Sequence, residues 1–339
     1  MNARNPRQPF ARLGMFVAGL ILCLATTTGA VAEPLRIRFS HVVAEDTPKG
    51  LAVERFKALV GQRSLGRMVV EVYPGSSLYG DRDEMQALQA GAVEMLAPSL
   101  SKFGRVGIPE FELFDLPYLF DSLQDVHRIT DGPLGARLLK GLERQGMVGL
   151  GFLDNGFKHM SANRPLLSPQ EYLGLRMRVQ TSRVIAAQMR ALGAVPVPLP
   201  FSATRQALAR HVVNGTENPL SNFWTQDMHR VQTDLTLTGH GYLGYAVITG
   251  QRFWRSLKPG DQQLLRAAMA EALSYGNQIA DGQNNKALQA LRQAGTTAIH
   301  EPTPAQRQLL RDATQEVHKQ LATRIGQQWL DDVEHALHQ

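Results

Sequence analysis

A chain of 339 residues that is 43% hydrophobic and 19% charged reads as globular rather than disordered, and it exceeds the usual size of a single core. Two domains, or one large two-lobed unit, are expected. One cysteine excludes a disulfide framework, and a formal charge of +6 is a modest excess for this length.

The N-terminal segment "MNARNPRQPFARLG" carries Arg4, Arg7 and Arg12 and no acid, and "MFVAGLILCLATTTGA" follows it as an apolar run. Ala30, Val31 and Ala32 supply an A-x-A cleavage site. The strongly apolar stretch from Met15 to Ala25 is too short to span a bilayer, which takes about 20 residues. Residues 1–32 are therefore expected to be a secretory signal peptide, removed on export. Cys23 leaves with it, so thiolate nucleophiles and Cys-ligated metals are excluded from the mature chain, as suits a bacterial periplasm. Loss of the three arginines lowers the formal charge to about +3, which demands neither nucleic acid nor a membrane surface.

From Leu35 the pattern alternates. "LRIRFSHVV" is expected as a strand, "TPKGLAVERFKALVGQR" as an amphipathic helix and "RMVVEVYP" as a second strand. In "GDRDEMQALQAG", Asp81 is placed to cap a helix with Glu84 three residues on, and Gly91 to end it. "AVEMLAPS" reads as the next strand. A second series follows: strands at "GLGFLDNGFKHMSANRP" and "LRMRVQ", a helix at "SRVIAAQMRALG", a short strand at "VPVPLP" and a helix at "SATRQALARHVVNG". Strand–helix alternation of this kind implies an α/β fold with mainly parallel sheets. "QALQAGAVE" and "QALARHVVNGTE" echo each other weakly, in line with two lobes. The stretch from Leu257 to Gly295 keeps helical periodicity throughout, long enough to bridge lobes, with Gly276 and Gly282 as candidate kinks. The tail is helical again, with Thr303 and Gln306 at capping-box spacing.

Motifs for covalent or metal chemistry do not appear. There is no HxH or HExxH pair, no calcium loop, no complete P-loop or dinucleotide fingerprint, and no GxSxG elbow. What remains is cationic and polar groups at strand ends. In "LRMRVQ", Arg176 and Arg178 share one face while Leu175, Met177 and Val179 share the other. Pattern alone leaves open a solvated strand edge or a carboxylate clamp, for which the planar guanidinium is suited.

The blocks "IRFSHVVAEDTPKG", "VEVYPGSSLYGDRDEMQALQAGAVEMLAPSLSKFG", "FDLPYLF", "GFKHMSANRP", "LRMRVQTS", "LGAVPVPLPF" and "NGTENPLSNF" resemble, in the same order, the substrate-binding subunits of tripartite ATP-independent periplasmic (TRAP) transporters. The resemblance is to the C4-dicarboxylate (DctP) branch. It implies a two-lobed periplasmic solute-binding protein fold with a central cleft and a long helix crossing both lobes. One lobe would comprise 33–155 with about 243–283, the other 156–242 with about 284–339. It also implies a monomeric protein without cofactor, metal or catalysis, which hands a small organic anion to membrane permease subunits. By the same resemblance Arg178 grips a carboxylate, Asn218 donates its amide to it and Phe201 packs on the ligand's carbon chain. Lys158 and Lys102 bring cations from opposite lobes, and Ser99, His41 and Trp224 are weaker candidates for the cleft wall. Arg176 is expected nearer the rim and Arg183 to be structural. Alternatives are a receptor for a 2-oxo, aromatic or sugar acid, a periplasmic hydrolase or isomerase on the same scaffold, or a sensory subunit.

Overall fold

Two long antiparallel strands organise the chain. The computed structural model describes residues 33–338, so the expected signal peptide, with Cys23, lies outside the described residues. The nine strands are β1 (Leu35–Ser40), β2 (Met68–Tyr73), β3 (Met95–Leu96), β4 (Met147–Ala162), β5 (Arg176–Val179), β6 (Val195–Pro198), β7 (Gly215–Asn218), β8 (Asp234–Gly250) and β9 (Ala298–His300). They form one sheet in the order β2-β1-β3-β8-β4-β7-β5-β6, with β9 on β8. β4 and β8 pair from Met147 opposite Gly250 to Ala162 opposite Asp234, and three irregularities bend the pair. β3 joins the C-terminal end of β8, whereas β7 joins the C-terminal end of β4. The crossing strands thus carry one group of strands at each end. Within each group the neighbours β1–β2, β1–β3, β5–β6 and β5–β7 are parallel, as expected of α/β architecture. Antiparallel pairing enters where the crossing strands do.

The helix Pro48–Arg63 begins where Thr47 accepts the Gly50 N–H, and it buries Ala52, Val53, Phe56 and Val60. The helix Arg183–Ala191 begins likewise at Ser182, which accepts from Ile185. Helix Pro259–Ala294 runs unbroken for 36 residues, about 54 Å at the usual rise. Its first half packs Leu265, Ala268 and Ala272 into a core with Phe39, Phe56 and Leu153. Its end places Ala287 and Leu291 among Phe201, Leu208 and Phe223 in a different core. One helix therefore spans both ends of the sheet. Gly276 is there for packing rather than for a kink.

Three local expectations need correction. The helix Glu84–Ala90 starts from Asp83, not Asp81, and no side chain caps it, although Gly91 ends it in the left-handed region as expected. The helix expected at 202–215 is confined to Thr204–Ala209, because His211 turns to a positive φ and the following loop is held elsewhere. The C-terminal tail keeps its Thr303–Gln306 capping box but divides into helices Pro304–Thr314, Glu316–Ile325 and Gln327–Leu337, the second break lying at Gly326.

A Cβ on Gly276 would stand 2.5 Å from Leu153 Cδ1 and 2.8 Å from Ala52 Cβ, whereas one on Gly282 would meet nothing within 4 Å. Gly276→Ala should thus cost about 1–3 kcal/mol through overpacking. Gly282→Ala should be neutral or add about 0.5–1 kcal/mol through helix propensity. Urea unfolding of the two variants side by side checks the contrast.

Candidate functional site

β5 brings Arg178 between Val197 of β6 and Thr216 of β7, where its side chain is 2% exposed. Its Nε donates to the Leu199 carbonyl at 3.0 Å, the one hydrogen bond it makes among the described residues. The guanidinium lies 5.7 Å from the Phe201 ring. Burial lowers its pKa, against the pull of Asp81 and Glu217, and an arginine still keeps its charge. The two Nη atoms of the fork are left for the cavity. Arg176, two residues earlier, is exposed and structural: its guanidinium donates to the carbonyls of Val212 at 2.8 Å and His211 at 2.7 Å, fixing the loop after the short helix.

Arg178, Gln180, Phe201, Asn218 and Asn222 form one side of a small cavity. Val42, Val43, Asp81, Ser99 and Lys102 face them, and Leu243 and Tyr245 of β8 close it. Two contacts join the sides: the Ser99 hydroxyl donates to Gln180 Oε1 at 2.7 Å, and the Phe201 N–H donates to Asp81 Oδ2. Asp81, expected at a helix cap, is a wall residue instead. It also pairs with Lys102, which pairs in turn with Glu84. Burial resists ionisation of Asp81, but Lys102 and the Phe201 N–H hold its carboxyl down at about 2. Burial raises the Glu84 carboxyl. Lys102 is pulled above the ordinary lysine value by these two acids in spite of its burial.

Neutral donors complete the wall. Asn155 Nδ2 donates to Asn222 Oδ1 at 2.9 Å and to the Tyr245 hydroxyl at 2.8 Å, while its Oδ1 accepts from Ser221 at 2.8 Å. Asn284 of the long helix accepts the Ser221 N–H and donates to the Asn155 carbonyl. With its oxygen so engaged, Tyr245 keeps its O–H for the cavity, while the Asn222 side chain both accepts from Asn155 and hydrogen-bonds Tyr245 beside it. The Asn218 amide donates to Thr216 Oγ1 at 3.2 Å.

Of the residues singled out in the sequence, Arg178, Asn218, Phe201, Lys102 and Ser99 meet at this cavity. Lys158, His41 and Trp224 do not line it. Lys158 is 1% exposed and already neutralised, with Nζ 2.7 Å from Glu217 and 4.0 Å from Asp115. His41 is buried behind Val42 and Val43, and burial together with the Lys49 charge pushes it down to about 3, so it brings no cation. Trp224 is stacked on His229 at 4.4 Å. Residues missed in the sequence are Gln180, Asn222, Tyr245, Leu243, Val42 and Val43. Gln180 and Asn222 sit inside quoted blocks, two and four residues beyond Arg178 and Asn218. Tyr245 had no local signal.

Comparison with known proteins identifies the family of this fold. The model of the bacterial extracellular solute-binding proteins, family 7 (DctP), matches residues 39–324. The chain is 51% identical over 314 residues, 93% of this chain and 94% of the relative, to the C4-dicarboxylate-binding periplasmic protein DctP of Rhodobacter capsulatus. Among solved structures, a TRAP periplasmic solute-binding protein from Shewanella oneidensis with bound succinate superposes with a TM-score of 0.88 at 39% identity, covering 90% of this chain and 100% of that one. Another, from Pseudomonas aeruginosa with bound L-malate, gives 0.82 at 38% identity, covering 85% and 100%.

The neutral state of His41 carries a pH signature. The unfolded chain takes up this proton below about 6.5, whereas the folded protein resists it down to about 3, so acidification drains stability across that window. Near pH 5 the loss is about 2 kcal/mol. Asp115, pushed up to about 6, works in the opposite direction, so the difference between wild type and His41→Gln isolates the histidine. Urea unfolding near pH 7 and pH 5 should find the acid loss about 2 kcal/mol smaller in the variant, and an NMR titration of the wild type should find His41 neutral at pH 5.

Proposed function

We infer a transport function from family and geometry together: this chain belongs to the bacterial extracellular solute-binding proteins of family 7, the DctP family. It is the substrate-binding subunit of a TRAP transporter. In this reading it is exported to the periplasm, captures a C4-dicarboxylate such as succinate, fumarate or malate, and delivers it to the membrane permease subunits. The observation that carries the ligand class is the buried Arg178 guanidinium, whose fork has one backbone carbonyl as its hydrogen-bond partner and a cavity before it. A carboxylate satisfies it bidentately.

The second carboxylate meets a different set of groups. Lys102 is shared with Asp81 and Glu84, so neutral donors from Asn222, Tyr245 and Gln180 accompany it, and Lys158 takes no part. Phe201, Leu243, Val42 and Val43 supply apolar wall for the carbons between. Charge-assisted hydrogen bonds contribute about 1.5–3 kcal/mol each, so a few of them, less the cost of immobilisation, reach the roughly 8 kcal/mol of micromolar binding. Binding and release suffice, and no covalent step enters.

The two sides of the cavity belong to the lobes 33–155 with about 243–283 and 156–242 with about 284–339. Ligand bridging them shifts the population toward the closed form. Small-angle scattering should show a smaller radius of gyration with succinate than without.

Thermal-shift assays of the mature protein against organic acids test the ligand class. A C4-dicarboxylate at 100 times its dissociation constant should add about 2.7 kcal/mol, and butyrate far less. If monocarboxylates or sugar acids shift the protein and C4-dicarboxylates do not, the reading fails. By titration calorimetry, Arg178→Lys should weaken succinate binding by about 2–3 kcal/mol, since an ammonium lacks the fork, while Arg176→Lys stays within about twofold.

A further inference from the structure

A second concavity shares a wall with the binding cavity. Gln180 lines both, and on its far side a groove is lined by Arg105, Arg183, Arg190 and Arg324. Glu112 is the one acid that lines it, and Arg324 takes up that carboxylate with both nitrogens, at 2.6 and 2.8 Å. Arg105, Arg183 and Arg190 are exposed and form no ion pair among the described residues. Arg105, Arg183 and Arg190 thus bring three uncompensated charges into one groove that shares Gln180 with the cavity built around Arg178.

We propose that this groove is a second, low-affinity anion site, a vestibule that collects the dicarboxylate and passes it by Gln180 to Arg178. The proposal rests on the functional reading above. Arg105 comes from one side of the cavity's seam and Arg183 and Arg190 from the other, so the groove, like the cavity, straddles the two groups of strands. Positive charge lining a concave groove focuses the field and raises the local concentration of an anion, which increases association rates about 10-fold or more. Screening over about 8 Å at physiological salt confines the effect to anions already near the mouth. A small anion suits the groove better than an acidic protein surface does, because it is concave and continues into the cavity wall. Gln180 accepts from Ser99 through its Oε1, which leaves its amide N–H groups to hand a carboxylate inward.

Stopped-flow fluorescence with succinate tests this on the mature protein and on the triple variant Arg105→Gln, Arg183→Gln, Arg190→Gln. The association rate of the variant should fall about tenfold at low salt and converge with wild type at high salt, with dissociation unchanged within twofold. Lysine at the same three positions should keep the rate. An unchanged association rate at low salt, or a loss of affinity carried by faster dissociation, overturns the vestibule. A second readout separates it from the ligand reading: NMR of the arginine Nε–H groups during titration with inorganic phosphate. Saturable shifts at Arg105, Arg183 and Arg190 support the groove even where succinate fails to bind the cavity, which would defeat the functional reading alone. Absence of those shifts overturns the groove even where succinate binds.

Discussion

Burying a guanidinium commits a protein to supplying it with an acceptor, since a charge removed from water without a partner is among the most costly features a fold can carry. Arg178 is placed in that position by β5, enclosed by β6 and β7, and given a single backbone carbonyl. Asp81 and Glu217 provide some negative field, yet neither hydrogen-bonds to it. The remainder of the site is arranged around the unmet half of this demand: an aromatic ring beside the guanidinium, amide and hydroxyl donors beyond it, and an opposite wall carrying its own compensated charge.

Compensation is the rule elsewhere along the seam. Lys158 on β4, Glu217 on β7 and His240 on β8 form a buried cluster that balances internally, with Glu217 held down at about 2 by Lys158 and His240 against its burial. Asp115, which accepts from Ser101 at 2.7 Å, adds a second acid near Lys158, and burial pushes it up to about 6. Lys49 sits over the Tyr245 ring and donates to the Ala97 carbonyl at 2.9 Å, and burial pushes it down to about 7. Among the described residues, Lys102 and Lys158 thus have carboxylate partners and Lys49 a π face and a backbone carbonyl, whereas the buried Arg178 has no carboxylate at ion-pair distance. A lysine that binds ligand and a lysine serving as a structural counter-ion look identical in one dimension, and only the position of Glu217 tells them apart.

That limit explains which features were legible in the sequence. Periodicity and caps are local, so β1, the helix Pro48–Arg63, the Ser182-capped helix and the long helix were all readable. β8 was not, because "DLTLTGHGYLGYAVITG" is buried along nearly its whole length and lacks the alternation that marks a half-exposed strand. Arg176 and Arg178 were equivalent by alternation, and only the resemblance favoured Arg178. The structural difference is tertiary, one arginine lying beside the loop at 211–212 and the other under β6 and β7. Asp81 was misread because a local capping signal and a long-range contact compete for the same carboxylate, and the N–H of Phe201, 120 residues away, wins it.

In the proposed reading, the two ends of a dicarboxylate are met by unlike chemistry. One end finds the Arg178 fork, held by β5 and the Leu199 carbonyl with its Nη atoms unengaged. The other finds Lys102, whose charge Asp81 already balances, so discrimination at that end depends on how accurately the neutral donors of Asn222 and Tyr245 are held. Their positions trace through Asn155 and Ser221 to Asn284, a side chain of the long helix. The same helix spans the cores at both ends of the sheet. Any tilt of one lobe relative to the other therefore acts on the donors of the distal carboxylate through a chain of hydrogen bonds, while leaving the Arg178 fork in place. Capture by the fork can precede closure, and recognition of the second carboxylate is the part of binding tied to it.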